Sequence, residues 1–231
     1  KVNTYISKNQ PIEFVMLGYP FKSPNHQTKT LSDKADLAEK LSINTLTKFT
    51  NDIKNIYPQG AIINIASDGY SFNDLLNVHN KVLEEYKEMC LSFGDSSFKI
   101  HDMRDFFNHN LDIKSIRDKL DLYYGINEEE LQQKILFNPN TNILYRGMIK
   151  FMEEEVSIKE FSSNNQRHKA AKTLTKQMML RNEAWSNFVK DEFKSNIRLS
   201  MHPSTNNGEK YSFDLIKGAM HSPWHSVVAI D

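Results

Sequence analysis

The apolar positions of this chain repeat with two different periods, and the period changes as the chain advances. Residues 12–18 are almost wholly apolar, the pattern of a buried strand. Leu31, Ala35, Leu37, Ala38, Leu41, Leu46 and Phe49 then recur near helical spacing. Ser32 or Asp33 is placed to cap that helix, and Pro58 and Gly60 close it after Tyr57. Residues 61–66 form a second, β-branched run that ends in Ser67-Asp68-Gly69. A helix is expected over 75–91, with Asn73 or Asp74 as its N-cap. Residues 97–102 read as a third strand, followed by helix over 103–107 and 113–124. From 127 to 193 the pattern is helical, broken at Asn138-Pro139-Asn140, and Glu153-Glu154-Glu155 reads as a solvated face. Arg167 falls in line with Ala171, Leu174 and Met178, and Arg181 with Trp185 and Phe188. A cation in an apolar row is drawn inward and needs an anionic partner there.

Residues 197–203 return to period two. Ile197, Leu199 and Met201 point one way, and Arg198, Ser200 and His202 the other. Pro203 has no N–H to give and ends the strand. The polar face either meets solvent as an edge strand or holds a ligand. Residues 210–215 are expected to pair back on this strand as a hairpin.

Strand alternating with helix predicts an α/β fold: a Rossmann-like, mostly parallel sheet flanked by helices, with an added helical segment at about 112–194 and a C-terminal hairpin. One domain over residues 1–231 accommodates it. Such sheets place ligands beyond the carboxyl ends of their strands. Asp68 is therefore either a turn residue or a carboxylate aimed into a cleft. His101 and Asp102 sit at another strand end, where capping is the simpler role. The loop after the first strand, Tyr19-Pro20-Phe21-Lys22-Ser23-Pro24-Asn25, carries Lys22, Ser23, Asn25, His26 and Lys29, all suited to phosphate or carboxylate.

Charge and composition narrow the classes. The 231 residues carry no formal net charge, so no global field favours nucleic acid or an acidic membrane. The basic run at 167–172 lacks interleaved aromatics, which argues against nucleic acid. No apolar run is long enough to span a bilayer. Cys90 is the one cysteine, set among helical apolar positions; it excludes an internal disulfide and fits a reducing, cytoplasmic setting. His221 and His225 have the spacing of helical zinc ligands, but Pro223 lies between them and no acidic residue accompanies them, so no metal is expected. Dinucleotide, Walker and serine-hydrolase glycine motifs are absent.

Four stretches taken in order resemble the pyoverdine/dityrosine biosynthesis family, the isocyanide (isonitrile) synthases. They are Pro20-Phe21-Lys22-Ser23-Pro24-Asn25; Ser67-Asp68-Gly69 with Phe72-Asn73-Asp74; Arg198-Leu199-Ser200-Met201-His202-Pro203; and Pro223-Trp224-His225 with Val227-Val228. The resemblance implies conversion of the α-amino group of tyrosine or tryptophan into an isonitrile, with ribulose 5-phosphate as carbon donor. It implies no metal or organic cofactor, small-molecule substrates, and a downstream iron and 2-oxoglutarate oxygenase as partner. Family members continue further, so the chain is expected to be cut short at its C-terminal end.

That chemistry asks for a phosphate clamp, acids and bases near neutrality, and a site shielded from water. On the resemblance, Lys22, Lys29 and Arg198 are assigned to the phosphate or substrate carboxylate, with Arg181 and Arg167 behind them. His202 and Asp68, then His225, are assigned to proton transfer. Ser23, Asn25 and Ser200 would orient sugar hydroxyls. Lys22 is alternatively a Schiff-base lysine if desolvated. A phosphosugar- or amino-acid-binding module without catalysis, and an enzyme that formylates tyrosine, remain the competing readings.

Overall fold

The computed structural model describes residues 1–107, 111–156, 161–201, 210–216 and 222–228. Among these residues five strands make one sheet: β1 (Ile12–Leu17), β2 (Ala61–Ala66), β3 (Phe98–His101), β4 (Ile197–Ser200) and β5 (Lys210–Ser212), in the order β3-β2-β1-β4-β5. Every pairing is parallel; Ile12 lies opposite Ala61, and Val15 lies opposite Asn64 on one side and Arg198 on the other.

β1 and β2 are central and buried on both faces, which is why their sequences are apolar runs broken only by Glu13 and Asn64. On one face Phe14, Met16, Ile63 and Ile65 pack with Ile43 and Leu46 of α2 (Leu37–Ile56) and Tyr86 and Cys90 of α4 (Asn80–Phe93). On the other, Val15 and Ala66 join Ile116 and Leu120 of α5 (Ile113–Tyr124) and Trp185 and Phe188 of α8 (Asn164–Glu192). With α6 (Glu128–Phe137) and α7 (Pro139–Glu155), α5 and α8 form the helical segment expected at about 112–194. A short α1 (Val2–Ser7) precedes the sheet.

Three expectations need correction. Residues 210–212 do not fold back as a hairpin; they run parallel to β4. Alternation tells which face a side chain takes, not the direction of the strand. The first long helix begins at Leu37, not near Ser32: Asp36 accepts from the Ala38 N–H at 2.9 Å, and Glu39 accepts from the Asp36 N–H at 2.9 Å, a reciprocal capping box. Asn73 and Asp74 do not cap a helix at 75. They lie in a 3-10 turn over Asn73–Leu76 that follows α3 (Gly69–Phe72), Asn77 then takes a left-handed conformation, and His79 caps α4.

Candidate active site

The carboxyl ends of β1, β2 and β4 open into a cavity of about 650 Å³, roofed by α6, α7 and α8 and closed on one side by the turn at Pro223–His225. Close approach holds its floor together. A Cβ on Gly69 would lie 2.5 Å from the Pro20 carbonyl oxygen, so the Asp-Gly pair is fixed by contact with the β1 loop. The Ser67 hydroxyl donates to the Tyr19 carbonyl at 2.9 Å. A Cβ on Gly18 would sit 2.6 Å from the Trp224 ring, which brings the Pro223–His225 turn directly over the end of β1.

Asp68, Arg198, Ser200 and His225 all line this cavity. Asp68 Oδ1 is buried with no hydrogen-bond partner among the described residues. Burial pushes the Asp68 carboxyl up to about 6, against the opposing pull of its own backbone N–H. Arg198 stands on β4 with Ser186 Oγ at 3.5 Å from Nη2. His225 Nδ1 is 2.9 Å from the Ser222 hydroxyl, and its ring lies 5.0 Å from that of Phe151.

The loop residues assigned on the resemblance sit elsewhere. Lys22 is fully buried and does not line the cavity. Its Nζ donates to Glu39 Oε2 and Asp36 Oδ2, both at 2.9 Å, and to the carbonyls of Pro223 and Ser226, both at 3.1 Å. It ties α2 to the turn that carries His225. Ser23 donates to the Glu155 carboxylate at 2.8 Å, Lys29 reaches the same carboxylate at 2.7 Å, and Asn25 donates to the Glu154 carbonyl at 2.9 Å. Lys29 also lies over the Phe151 ring at 4.4 Å. The triple-glutamate run is therefore no solvated face: the Glu155 side chain is fully buried and Glu153 pairs with His168, because the run closes α7 against the β1 loop.

Arg181 donates to Asp74 at 2.7 Å and to the Ser71 carbonyl at 3.2 Å, and Arg117 meets the other oxygen of Asp74 at 3.0 Å. Both arginines hold the turn after Asp68, outside the cavity lining. Arg167 does not line the cavity either. His202 lies outside the described residues, as does His221. His101 bonds Asn64 at 3.1 Å, and Asp102 caps the turn at Met103–Asp105, as the simpler role required.

The helical wall supplies polar lining side chains that the sequence did not single out: Lys134 from α6, and Asn182, Glu183 and Ser186 from α8. A signal for the latter was available. They interrupt the stripe Met178, Met179, Val189 at helical spacing, where a core-facing row should be apolar. Lys210 of β5 adds a further cation to the lining. Among the described residues no cluster of His, Cys, Asp and Glu is arranged to hold a metal ion, and no helix is long and apolar enough to cross a membrane.

Comparison with known proteins bears on what the cavity does. The sequence profile described as "Pyoverdine/dityrosine biosynthesis protein" matches residues 2–231. The chain is 29% identical over 239 residues to the L-tyrosine isonitrile synthase of Xenorhabdus nematophila, spanning 99% of this chain and 71% of that one. It is 28% identical over 238 residues to the L-tryptophan isonitrile synthase AmbI2 of Fischerella ambigua, spanning 100% and 72%. The crystal structure of the PvcA protein from Pseudomonas aeruginosa superposes with a TM-score of 0.91 at 26% identity, over 98% of this chain and 77% of that one.

Proposed function

The chain belongs to the pyoverdine/dityrosine biosynthesis family, and on that premise we propose that it is an isonitrile synthase acting on the α-amino group of an aromatic amino acid, L-tyrosine or L-tryptophan, with ribulose 5-phosphate as carbon donor. One observation carries the reading: a buried Asp68 carboxylate, whose Oδ1 has no partner, shares a cavity with the cations Arg198 and Lys210, walled by Phe72, Met148, Phe151, Met178 and Trp224. Aromatic rings and thioethers suit an aromatic side chain, and the cations suit its carboxylate and a sugar phosphate.

The amine must add to the ketone and lose water to give an imine. Proton shifts and loss of phosphate and carbon fragments follow. Asp68, poised near 6, is the group to take and return protons at the amine. His225 is the second such group, held through Nδ1 at 2.9 Å from Ser222. His202 keeps its assignment from the sequence. Arg198 and Lys210 bind the anionic groups, and Ser200 orients a sugar hydroxyl. No metal or organic cofactor is needed for these steps, and an iron and 2-oxoglutarate oxygenase is the expected consumer of the product.

The test is incubation with each amino acid and ribulose 5-phosphate labelled at C2, followed by mass spectrometry. Gain of one labelled carbon with loss of two hydrogens is the expected result and names the substrate. A formamide product would replace this reading with formylation. Binding without turnover would leave a binding module.

A further inference from the structure

Two acceptor atoms in the cavity wall are buried and lack a partner: Asp68 Oδ1 and Asn182 Oδ1. The other buried, unpaired side-chain atoms among the described residues belong to residues that do not line this cavity. A buried acceptor left without a donor costs on the order of 1–3 kcal/mol, so two at one site call for a ligand that donates to both. Both residues line the same cavity, and α3, which follows Asp68, packs against α8, which carries Asn182. Arg181, the residue before Asn182, donates at 3.2 Å to the carbonyl of Ser71, which lies just past Asp68 in the turn. Glu183, the residue after it, is already paired with Lys134 at 2.9 Å. Asn182 is therefore the polar group of this part of α8 whose partner the protein does not supply.

We propose that Asn182 and Asp68 together bind the amino group of the amino-acid substrate, and that Asn182 sets the preference for an amine over its des-amino or hydroxy analogues. The assignment rests on the isonitrile-synthase reading and adds to it a specificity-determining residue. An ammonium carries several N–H donors and a positive charge, so it satisfies an amide oxygen and a carboxylate at once. A hydroxyl has one proton and satisfies one of them. A phosphate or carboxylate would be repelled by Asp68 and would give Asn182 Oδ1 nothing. The pair also places the amine beside the base that must deprotonate it before attack, since Asp68 is held up to about 6 by burial.

The experiment is titration of the full chain with tyrosine, tryptophan and their des-amino acids (3-arylpropionates), with inorganic phosphate present to occupy the anion subsite. For whichever amino acid the wild type prefers, Asn182→Ala should weaken binding about 10- to 100-fold while des-amino binding changes less than about 2-fold. Asn182→Asp restores an acceptor and should recover amino-acid binding; Asn182→Ser, a smaller change, covers the case in which alanine does not fold. Asn182→Ala and Asp68→Asn should be less than additive, because they remove two contacts to one group. Amino-acid binding by wild type with selectivity unchanged in the Asn182 variants would overturn the assignment alone. Wild type that binds neither amino acid would overturn the isonitrile reading, and this assignment with it.

Discussion

Glu39 and Asp68 are both carboxylates that burial pushes toward protonation, and both lie beside the β1 loop. Their surroundings differ in every other respect. Glu39 accepts from Lys22 at 2.9 Å, from the Asp36 N–H at 2.9 Å and from the Tyr86 hydroxyl at 3.0 Å. Lys22 first, and then the Asp36 N–H, pull its proton affinity back down. Asp68 has its own backbone N–H and an open cavity, and one of its oxygens has no partner. The polar cluster around Glu39 is complete and builds structure. The one around Asp68 is incomplete, which on the proposed function leaves a place for the substrate amine. Comparing them also explains why a residue type is a poor guide to role: Lys22, the catalytic-looking lysine of the loop, belongs to the complete cluster.

The largest effect expected from this contrast falls on stability. Lys22→Met leaves Glu39 and Asp36 without their shared cation in the interior, at a cost of about 3–5 kcal/mol, read as a large drop in denaturant midpoint. Lys22→Met with Glu39→Leu removes the two fully buried charges, leaves only the partly exposed Asp36, and should recover a good part of that loss. Activity should not recover with it, because the carbonyls of Pro223 and Ser226 lose the ammonium that holds the His225 turn. A fully active double variant would show that this turn needs no such tie.

Asp68→Asn should do the reverse. Turnover is expected to fall about 10²- to 10⁴-fold, the range for loss of a proton-transfer group, with no loss of stability. The pH dependence follows from the raised value. A carboxyl near 3.8 unfolded and about 6 folded binds more protons in the native state between those limits. Its contribution therefore favours folding below about 4 and is lost as pH rises through about 6, at most about 1–3 kcal/mol over that interval. Midpoints measured from pH 4 to 8 should fall less steeply for Asp68→Asn than for wild type. Identical slopes would mean that Asp68 titrates normally and is not desolvated. A bound amino acid should flatten the wild-type slope, since its ammonium stabilises the charged carboxylate.

The sheet was legible because its inner strands are buried on both faces: residues 12–18 and 61–66 read as apolar runs broken only by Glu13 and Asn64, and become β1 and β2. Direction was not legible, since β5 alternates equally well in either sense, and it proved parallel. The strand-end part of the site, Asp68 with Arg198 and Ser200, was accessible through a topological rule about where such sheets bind. The helical wall was only faintly legible: Asn182, Glu183 and Ser186 interrupt an apolar stripe, but polar residues on a long helix default to solvent. The Asp36-x-x-Glu39 spacing is a capping-box signature that marks the start of α2 at Leu37, whereas the burial of Glu39 against Lys22 is a tertiary contact with no local signal. Glu155 had no local signal: it is the third of three glutamates, and its burial depends on Ser23 and Lys29, more than a hundred residues earlier.

That last cluster gives the smallest and most discriminating prediction. Ser23 suits a sugar hydroxyl by residue type, yet its hydroxyl is donated to Glu155 and it does not line the cavity. If the Glu155 cluster is complete in the sense that the Glu39 cluster is, Ser23→Ala removes one of two donors to a carboxylate that keeps Lys29 at 2.7 Å. The expected cost is about 1 kcal/mol of stability, a shift of a few degrees in Tm, with KM for ribulose 5-phosphate within about 2-fold of wild type. The hydroxyl is then a fastening between the β1 loop and α7. A tenfold rise in that KM with Tm unchanged would instead make Ser23 a substrate ligand, and the Glu155 contact an interaction that substrate displaces. The two outcomes separate a site filled by the protein from one left open for a ligand, which is the distinction between Glu39 and Asp68 restated at a third carboxylate.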